Sequence, residues 1–342
     1  MSQTIDEYTY NLPPERIAQY PASPRESAKL MVVHRTTNSI DHKHVQNFPE
    51  YLSANDVLVI NNTKVFKARL HGKTPLGISV EIFLIRPSTD TTWEALGKPG
   101  KKIHVGDAIK IADDFIGRIN SKSESGILTI QFNASPDVVI EKANTYGEIP
   151  IPPYIKIIPT DGSYQTVYAS QVGSVAAPTA GFHLTTQILE TLKQMGVQII
   201  EVTLHVGIGT FMPIKTMTIE SHEMHAEWVH VSQSASDAIN LARKQNKRII
   251  AIGTTTVRTL EGVSSLHGGM MSAFTGDVNL FIKPGYTFHV VDALLTNFHL
   301  PKSTLLVLVS ALAGQALIKQ AYLEAIQHQY RFYSFGDAMF IE

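Results

Sequence analysis

Short apolar segments separated by glycines fill residues 65–132, and this block constrains the fold more than any other feature. The alternating segment at 80–85 and the runs at 108–111 and 126–132 have the period and length of β-strands. Glycines typical of turns separate them: Gly72, Gly77, Gly100, Gly106, Gly117 and Gly126. Short strands with turns at regular intervals predict a small all-β barrel or sandwich.

Helical and strand patterns alternate in the rest of the chain. Ser135 as N-cap and Pro136 in the first turn predict a helix that ends near Gly147. Apolar runs predict strands at 56–60, 197–204, 248–253 and 288–295, and helices at 232–247 and from 254 onward. Alternation of this kind is typical of α/β proteins.

A chain of 342 residues is long enough for about two domains. The β block lies between two parts of the α/β pattern, so it is interpreted as an insertion. We therefore expect an α/β main domain, residues 1–66 and 148–342, and an inserted small all-β, barrel-like domain at 67–147.

Composition excludes several classes of protein. The 29 Lys and Arg residues oppose 30 Asp and Glu, so any nucleic-acid contact must be a local patch. The absence of Cys excludes disulfide scaffolds, thiolate zinc sites, iron–sulfur clusters and Cys nucleophiles, and it fits a reducing cytoplasm. Residues 1–11 are too polar for a signal peptide, and the longest apolar run, 305–313, is too short to cross a bilayer. These features predict a soluble, cytoplasmic protein.

Three familiar motifs are incomplete in this sequence. The segment His222-Glu223-Met224-His225 lacks the second His of a zinc-protease helix, because Ala226 occupies that position. The P-loop-like segment at 72–74 lacks its upstream Gly, and the segment at 207–209 lacks the third Gly of a dinucleotide loop. Each motif therefore lacks a residue that its chemistry requires.

Five polar segments remain, each beside an apolar strand or at a helix start. They lie at 177–184, 204–211, 253–258, 296–303 and 335–338. Strand ends and helix starts are where α/β proteins bind ligands. One such segment alone is more often an ordinary turn with a satisfied His, but five together favour a polar pocket assembled from loops.

The threonines at 254–256 offer backbone N–H groups and hydroxyls at a helix start, which predicts an anion site. The alternative is an ordinary helix cap, with Arg258 paired to Glu261 along the same helix. In the same way, Asp337 either serves the pocket or caps a turn.

Basic residues are concentrated near the start of the β block. Between residues 64 and 110, nine Lys and Arg oppose four Asp and Glu. The basic strip begins with Lys64, Lys67, Arg69 and Lys73. It is either an ordinary solvated face or a phosphate-binding surface on an otherwise neutral protein.

Long ordered motifs also connect the chain to a known family. They are NNTKV at 61–65, YGEIPIPPYI at 146–155, APTAGFHL at 177–184, LHVGIGTF at 204–211, HEMHAE at 222–227, GTTTVRTLE at 253–261 and TNFHLPKS at 296–303. These motifs resemble the S-adenosylmethionine:tRNA ribosyltransferase-isomerase family of bacterial queuosine biosynthesis. The resemblance covers nearly the whole chain, from residue 10 to residue 339.

The resemblance implies an α/β main domain with an inserted β-barrel, and a transferase reaction. Such an enzyme transfers and isomerises the ribosyl moiety of S-adenosylmethionine onto 7-aminomethyl-7-deazaguanine at the wobble position of a tRNA with a GUN anticodon. The products are epoxyqueuosine-tRNA, adenine and methionine. S-adenosylmethionine is then a consumed substrate and not a cofactor, and we expect no metal, no membrane partner and a monomer.

This chemistry assigns roles to the polar segments. Proton transfer is expected of His183, His205 and His299. The groups expected near the ammonium and sulfonium charges are Glu223, His225 and Asp337. The predicted substrate-binding residues are Thr254, Thr255, Thr256, Arg258, Asn297, Gly207 and Gly209. The predicted tRNA-binding residues are Lys64, Lys67, Arg69 and Lys73.

Two other functions stay open at this point. A non-catalytic tRNA-binding module would use the basic strip but leave the His-rich loops unexplained. A small-molecule glycosyl- or nucleoside-transferring enzyme would use the pocket but leave the basic β insertion unexplained.

Overall fold

The computed structural model describes residues 4–152, 154–156, 164–207, 216–222 and 224–342. The chain divides into two compact units. The first comprises residues 1–63, 153–170 and 178–342, and the second comprises 64–152 and 171–177. The sequence-based boundaries were after residues 66 and 147.

Seventeen strands and six α-helices are formed by the described residues. The strands are β1 Lys29–His34, β2 Ser39–His44, β3 Asp56–Asn61, β4 Thr63–Val65, β5 Arg69–Lys73, β6 Ser79–Pro87, β7 Thr92–Lys98, β8 Ala108–Ala112, β9 Phe115–Lys122, β10 Ile127–Phe132, β11 Gln171–Ser174, β12 Gln198–Leu204, β13 Glu227–Val231, β14 Arg248–Ile252, β15 Phe274–Val278, β16 Ala293–Asn297 and β17 Ala338–Ile341. The α-helices are α1 Pro136–Tyr146, α2 Thr186–Gln194, α3 Gln233–Lys244, α4 Thr254–Leu266, α5 Thr304–Ala313 and α6 Gln315–Gln327. A 3-10 helix at Thr179–His183 also matters for the site.

A nine-stranded mixed sheet forms the first unit. Its strand order is β15-β13-β12-β3-β14-β16-β17-β1-β2. All six residues of β3 are buried, as expected for a central strand covered on both faces. Together with the separate barrel, this sheet confirms the predicted fold class, an α/β unit with an inserted β-barrel.

Four neighbouring strands of this sheet, β12, β3, β14 and β16, are parallel to one another. Parallel strands end at the same edge of a sheet, so the residues that follow them converge there. The strand ends are Leu204, Asn61, Ile252 and Asn297. We call this the carboxyl edge.

Helices α3 and α4 begin in different ways. Ser232 accepts a hydrogen bond from the backbone N–H of Ala235 at 3.1 Å and begins α3. Gly253 precedes α4 with φ of 84°, a conformation that favours glycine, and a Cβ added there would lie 3.4 Å from the Cβ of Ala180. The 3-10 helix at Thr179–His183 therefore packs closely against the start of α4.

The strand predicted at 288–295 was wrong at its beginning, because β16 starts only at Ala293. The preceding backbone is bound by a buried side chain instead of a neighbouring strand. The carboxylate of Glu261 accepts hydrogen bonds from the backbone N–H groups of His289, Val290 and Val291 at 2.8–2.9 Å. These donors are then unavailable to a β-ladder.

A closed six-stranded barrel, in the order β10-β7-β6-β5-β8-β9, forms the body of the second unit. Its core includes Phe66, Trp93 and Phe132. Helix α1 contributes Val139 and Ala143 to this core, as its predicted position within the insertion requires. Its N-cap residue, Ser135, makes no side-chain capping hydrogen bond.

Within the described residues, no single helix is long and apolar enough to span a membrane. Helices α5 and α6 pass the length and composition test only when taken together, and they are bent by 116°.

Candidate active site at the carboxyl edge

The strand ends of the first unit bring together most of the predicted site residues. His205 follows β12, and the threonines at 254–256 follow β14. Asn297 ends β16, and His299 lies two residues beyond it. His183 belongs to the 3-10 helix that packs against the start of α4. Described residues of the polar segments predicted at 177–184, 253–258 and 296–303, and the 204–207 part of the segment at 204–211, therefore meet at one edge.

His183 is held by a hydrogen-bonded series of side chains. Its Nε2 lies 3.1 Å from Nδ2 of Asn297, and Oδ1 of Asn297 accepts a hydrogen bond from the hydroxyl of Thr179 at 3.3 Å. Burial lowers the pKa of His183 to about 3, and the charges of Arg331 and Arg25 lower it further. The imidazole is therefore neutral at neutral pH.

His299 is fixed through both its backbone and its ring. The hydroxyl of Tyr322 accepts its backbone N–H at 2.9 Å, and Tyr10 donates to its carbonyl oxygen. Nε2 of His299 lies 3.2 Å from Oγ1 of Thr296. Burial lowers the pKa of His299 to about 3, so this imidazole is also neutral.

His205 is placed by a hydroxyl and an indole. Its Nδ1 lies 2.8 Å from Oγ1 of Thr63, and its ring stacks on Trp228 with centroids 4.8 Å apart. Burial lowers the pKa of His205 to about 4. Trp228, on the neighbouring strand β13, thus fixes the plane of the His205 ring.

The three histidines share one arrangement. Each uses one ring nitrogen in a hydrogen bond to a neighbouring side chain. The other ring nitrogen, Nδ1 of His183 and His299 and Nε2 of His205, bonds to none of the described residues. All three are unprotonated at neutral pH, so each offers a donor or an acceptor to a ligand without carrying charge.

Asn61 is a functional candidate that the sequence analysis missed. Fully buried at the end of β3, its Nδ2 donates to the carbonyl of Leu204 at 3.0 Å and to Oγ1 of Thr255 at 3.3 Å. Its Oδ1 accepts the backbone N–H groups of Leu204 and Thr63 at 3.0 and 3.1 Å. One amide thus joins three of the site's segments. The sequence signal that could have identified Asn61 is its position as a polar residue directly after the predicted strand at 56–60.

Arg258 forms a buried ion pair with Glu227, a residue that the sequence analysis did not select. Their side chains are only 6% and 3% exposed. Arg258 also donates to the backbone carbonyl of His225 at 3.4 Å, and Glu227 accepts the N–H of Gly207 at 3.4 Å. The alternative partner, Glu261, binds backbone N–H groups instead. The charge of Arg258 is therefore balanced within the chain.

The first turn of α4 keeps its anion-binding character. Gly253 offers no side chain to cap the helix, and the backbone N–H groups of Thr254 and Thr255 donate to none of the described residues. The hydroxyl of Thr256 donates back to the carbonyl of Ile252 at 2.7 Å. Free N–H groups and the helix dipole favour an anionic group at this point.

Known proteins that are similar to this chain show its family. The family model described as "Queuosine biosynthesis protein" matches residues 5–341. The chain belongs to this family. It is 45% identical to the "S-adenosylmethionine:tRNA ribosyltransferase-isomerase" of Moorella thermoacetica, over 98% of this chain and 99% of the relative. The protein of the same name from Thermotoga maritima is also 45% identical, again over 98% of this chain and 99% of the relative.

A solved structure supports the fold of this family member. The crystal structure of S-adenosylmethionine tRNA ribosyltransferase from Thermotoga maritima matches with a TM-score of 0.58 and 37% identity. The match covers 98% of this chain and all of the solved chain.

Four other predicted site residues of this family member are bonded to backbone groups, exposed or outside the described residues. Asp337 precedes β17 beside Asn297, but its carboxylate already accepts the backbone N–H groups of Lys29 and Arg331 at 3.1 and 2.7 Å. His225 is exposed. Glu223 and Gly209 lie outside the described residues.

The predicted tRNA-binding residues lie in the second unit. Lys64 and Lys73 are exposed, and Lys67 is half-buried. Arg69 lies 3.9 Å from the carboxylate of Glu81, which partly balances its charge. Among the residues that the structure describes, no group of three His, Asp or Glu is arranged to hold a metal ion.

Proposed function

We propose that this chain is an S-adenosylmethionine:tRNA ribosyltransferase-isomerase whose reaction takes place at the carboxyl edge. It transfers and isomerises the ribosyl moiety of S-adenosylmethionine onto 7-aminomethyl-7-deazaguanine in tRNA. Epoxyqueuosine-tRNA, adenine and methionine are the products. The observation that carries this proposal is the 45% identity, over 98% of the chain, to two enzymes of that name.

The neutral histidines suit the proton transfers of this reaction. A sulfonium acidifies the neighbouring 5′ carbon, so a base can remove a proton there. The aminomethyl group must lose a proton before it attacks, and adenine needs a hydrogen bond or a proton to leave. His183, His205 and His299 are neutral at neutral pH, and a neutral imidazole has one nitrogen that accepts a proton or a hydrogen bond and one N–H that donates.

The start of α4 is proposed to hold the methionine carboxylate. The free N–H groups of Thr254 and Thr255 supply donors, and Gly207 and Asn297 line the same edge. Arg258, also a predicted substrate-binding residue, pairs with Glu227 and is proposed to support this binding region through that pair. Glu223, His225 and Asp337 remain candidates for groups near the substrate's positive charges.

The basic strip is proposed to bind the tRNA backbone. Lys64, Lys67, Arg69 and Lys73 would contact phosphates of a tRNA that has a GUN anticodon and carries the 7-aminomethyl-7-deazaguanine precursor. We further propose that the enzyme acts as a monomer in the cytoplasm, without a membrane partner.

One assay separates this function from the two alternatives. The protein is incubated with S-adenosylmethionine and either precursor-bearing or unmodified tRNA, and adenine and methionine are measured. We expect both in equal amounts, and only with precursor-bearing tRNA. Release without tRNA would indicate a small-molecule transferase. Binding of tRNA with no release would indicate a non-catalytic tRNA-binding module.

A further inference from the structure

The amide of Asn297 lies between a hydroxyl and an imidazole. Thr179 donates to Oδ1 of Asn297 at 3.3 Å, and Nδ2 of Asn297 lies 3.1 Å from Nε2 of His183. Asn297 and His183 are each 4% exposed, so solvent competes little with these bonds. The three residues form one connected series of hydrogen bonds.

The direction of the hydrogen bonds in this series determines which ring nitrogen of His183 carries the proton. An amide nitrogen only donates, so Nε2 of His183 must accept and carries no proton. The ring is neutral, because burial and the charges of Arg331 and Arg25 oppose its protonation. The single ring proton is therefore on Nδ1, which bonds to none of the described residues.

Thr179 decides that direction. If the Asn297 amide were reversed, its nitrogen would donate to Thr179, and the hydroxyl proton of Thr179 would have no acceptor among the described residues. The reversed amide would also place the proton on Nε2 of His183 and leave Nδ1 as a base. The observed orientation gives the Thr179 hydroxyl an acceptor in Oδ1 of Asn297 and gives Nδ2 of Asn297 an acceptor in Nε2 of His183.

We infer that Thr179 is a positioning residue: through Asn297 it holds His183 as an Nδ1–H hydrogen-bond donor toward the substrate. The identity of the substrate that this N–H faces rests on the proposed function. S-adenosylmethionine offers acceptors in its carboxylate, ribose hydroxyls and adenine ring nitrogens. A donor at His183 leaves proton abstraction to His205 or His299, whose hydroxyl partners can either donate or accept.

Ring-nitrogen NMR of the full-length protein, labelled with 15N in its histidines, tests the tautomer directly. The His183 signals are assigned by their loss in His183→Gln. We expect Nδ1 to be protonated and Nε2 unprotonated in the wild type and in Thr179→Ser, which keeps the hydroxyl. In Thr179→Val we expect the tautomers to mix or reverse. A proton on Nε2 in the wild type, or an unchanged tautomer in Thr179→Val, would overturn the inference.

Turnover supplies the second measurement. We expect Thr179→Val to lower kcat about tenfold, the scale of one lost hydrogen bond, and Thr179→Ser to stay within about threefold of the wild type. Thr191→Val is the matched control, because its hydroxyl donates to a helix carbonyl away from the site. A drop in kcat of the same size in Thr191→Val would refute the positioning role. If the wild type releases no adenine, the proposed function fails, but NMR still decides the tautomer.

Discussion

Loss of Arg258 should destabilise the first unit more than it alters substrate affinity. Arg258→Met removes the guanidinium that pairs with the carboxylate of Glu227, which is buried at 3% side-chain exposure. Removing one member of a buried pair costs about 3–5 kcal/mol, because the other charge is left uncompensated. We therefore expect the free energy of unfolding of this unit to fall by that amount.

The neutralised double variant Arg258→Met with Glu227→Gln should recover much of this loss. The double variant removes both charges of this pair, so the two single effects should not add. If the double variant costs the sum of the two single variants, the buried pair is not coupled as the structure indicates.

The chain offers a convenient probe for this measurement. It has two tryptophans, Trp93 in the barrel and Trp228 beside Glu227. In a Trp93→Phe background, Trp228 is the remaining tryptophan, so urea unfolding followed by tryptophan fluorescence reports on the first unit alone. The unfolding of the two units is then not analysed as a single two-state transition. A loss below about 1 kcal/mol in Arg258→Met would refute the reasoning.

Three further predictions follow from the site and the basic strip. His299→Ala should lower turnover about 100-fold with little change in tRNA affinity, and near-normal turnover would remove it as an acid–base group. Lys67→Ala with Arg69→Ala should reduce the salt dependence of tRNA binding by about one unit of slope per lost phosphate contact, whereas an unchanged slope and affinity would place the tRNA surface elsewhere. The free energy of unfolding should fall as the pH drops from about 6.5 toward 4, because unfolded histidines bind protons that His183, His205 and His299 take up only at a pH of about 3–4. This slope should be shallower in His299→Gln, and an equal slope would show that its pKa is not depressed.

Local patterns predicted most of the elements that carry the site. Apolar runs gave β3, β12 and β14 within one or two residues, and a helix follows Ser232 as predicted. The strand at 288–295 failed where the Glu261 carboxylate binds the backbone. No local pattern records such a contact, because its donors lie 28–30 residues away.

By itself the sequence determined which segments become strands and where glycines and threonines follow their ends. It also determined that a β-barrel is inserted in an α/β unit. It also determined which polar side chains lie at strand ends, because the period of side-chain burial is a local property. Only the tertiary structure decided their partners. Asn297 contacts His183 across 114 residues, and Arg258 pairs with Glu227 across 31, because strand order decides which ends become neighbours. These contacts also determine which nitrogen of each histidine bonds to another side chain among the described residues.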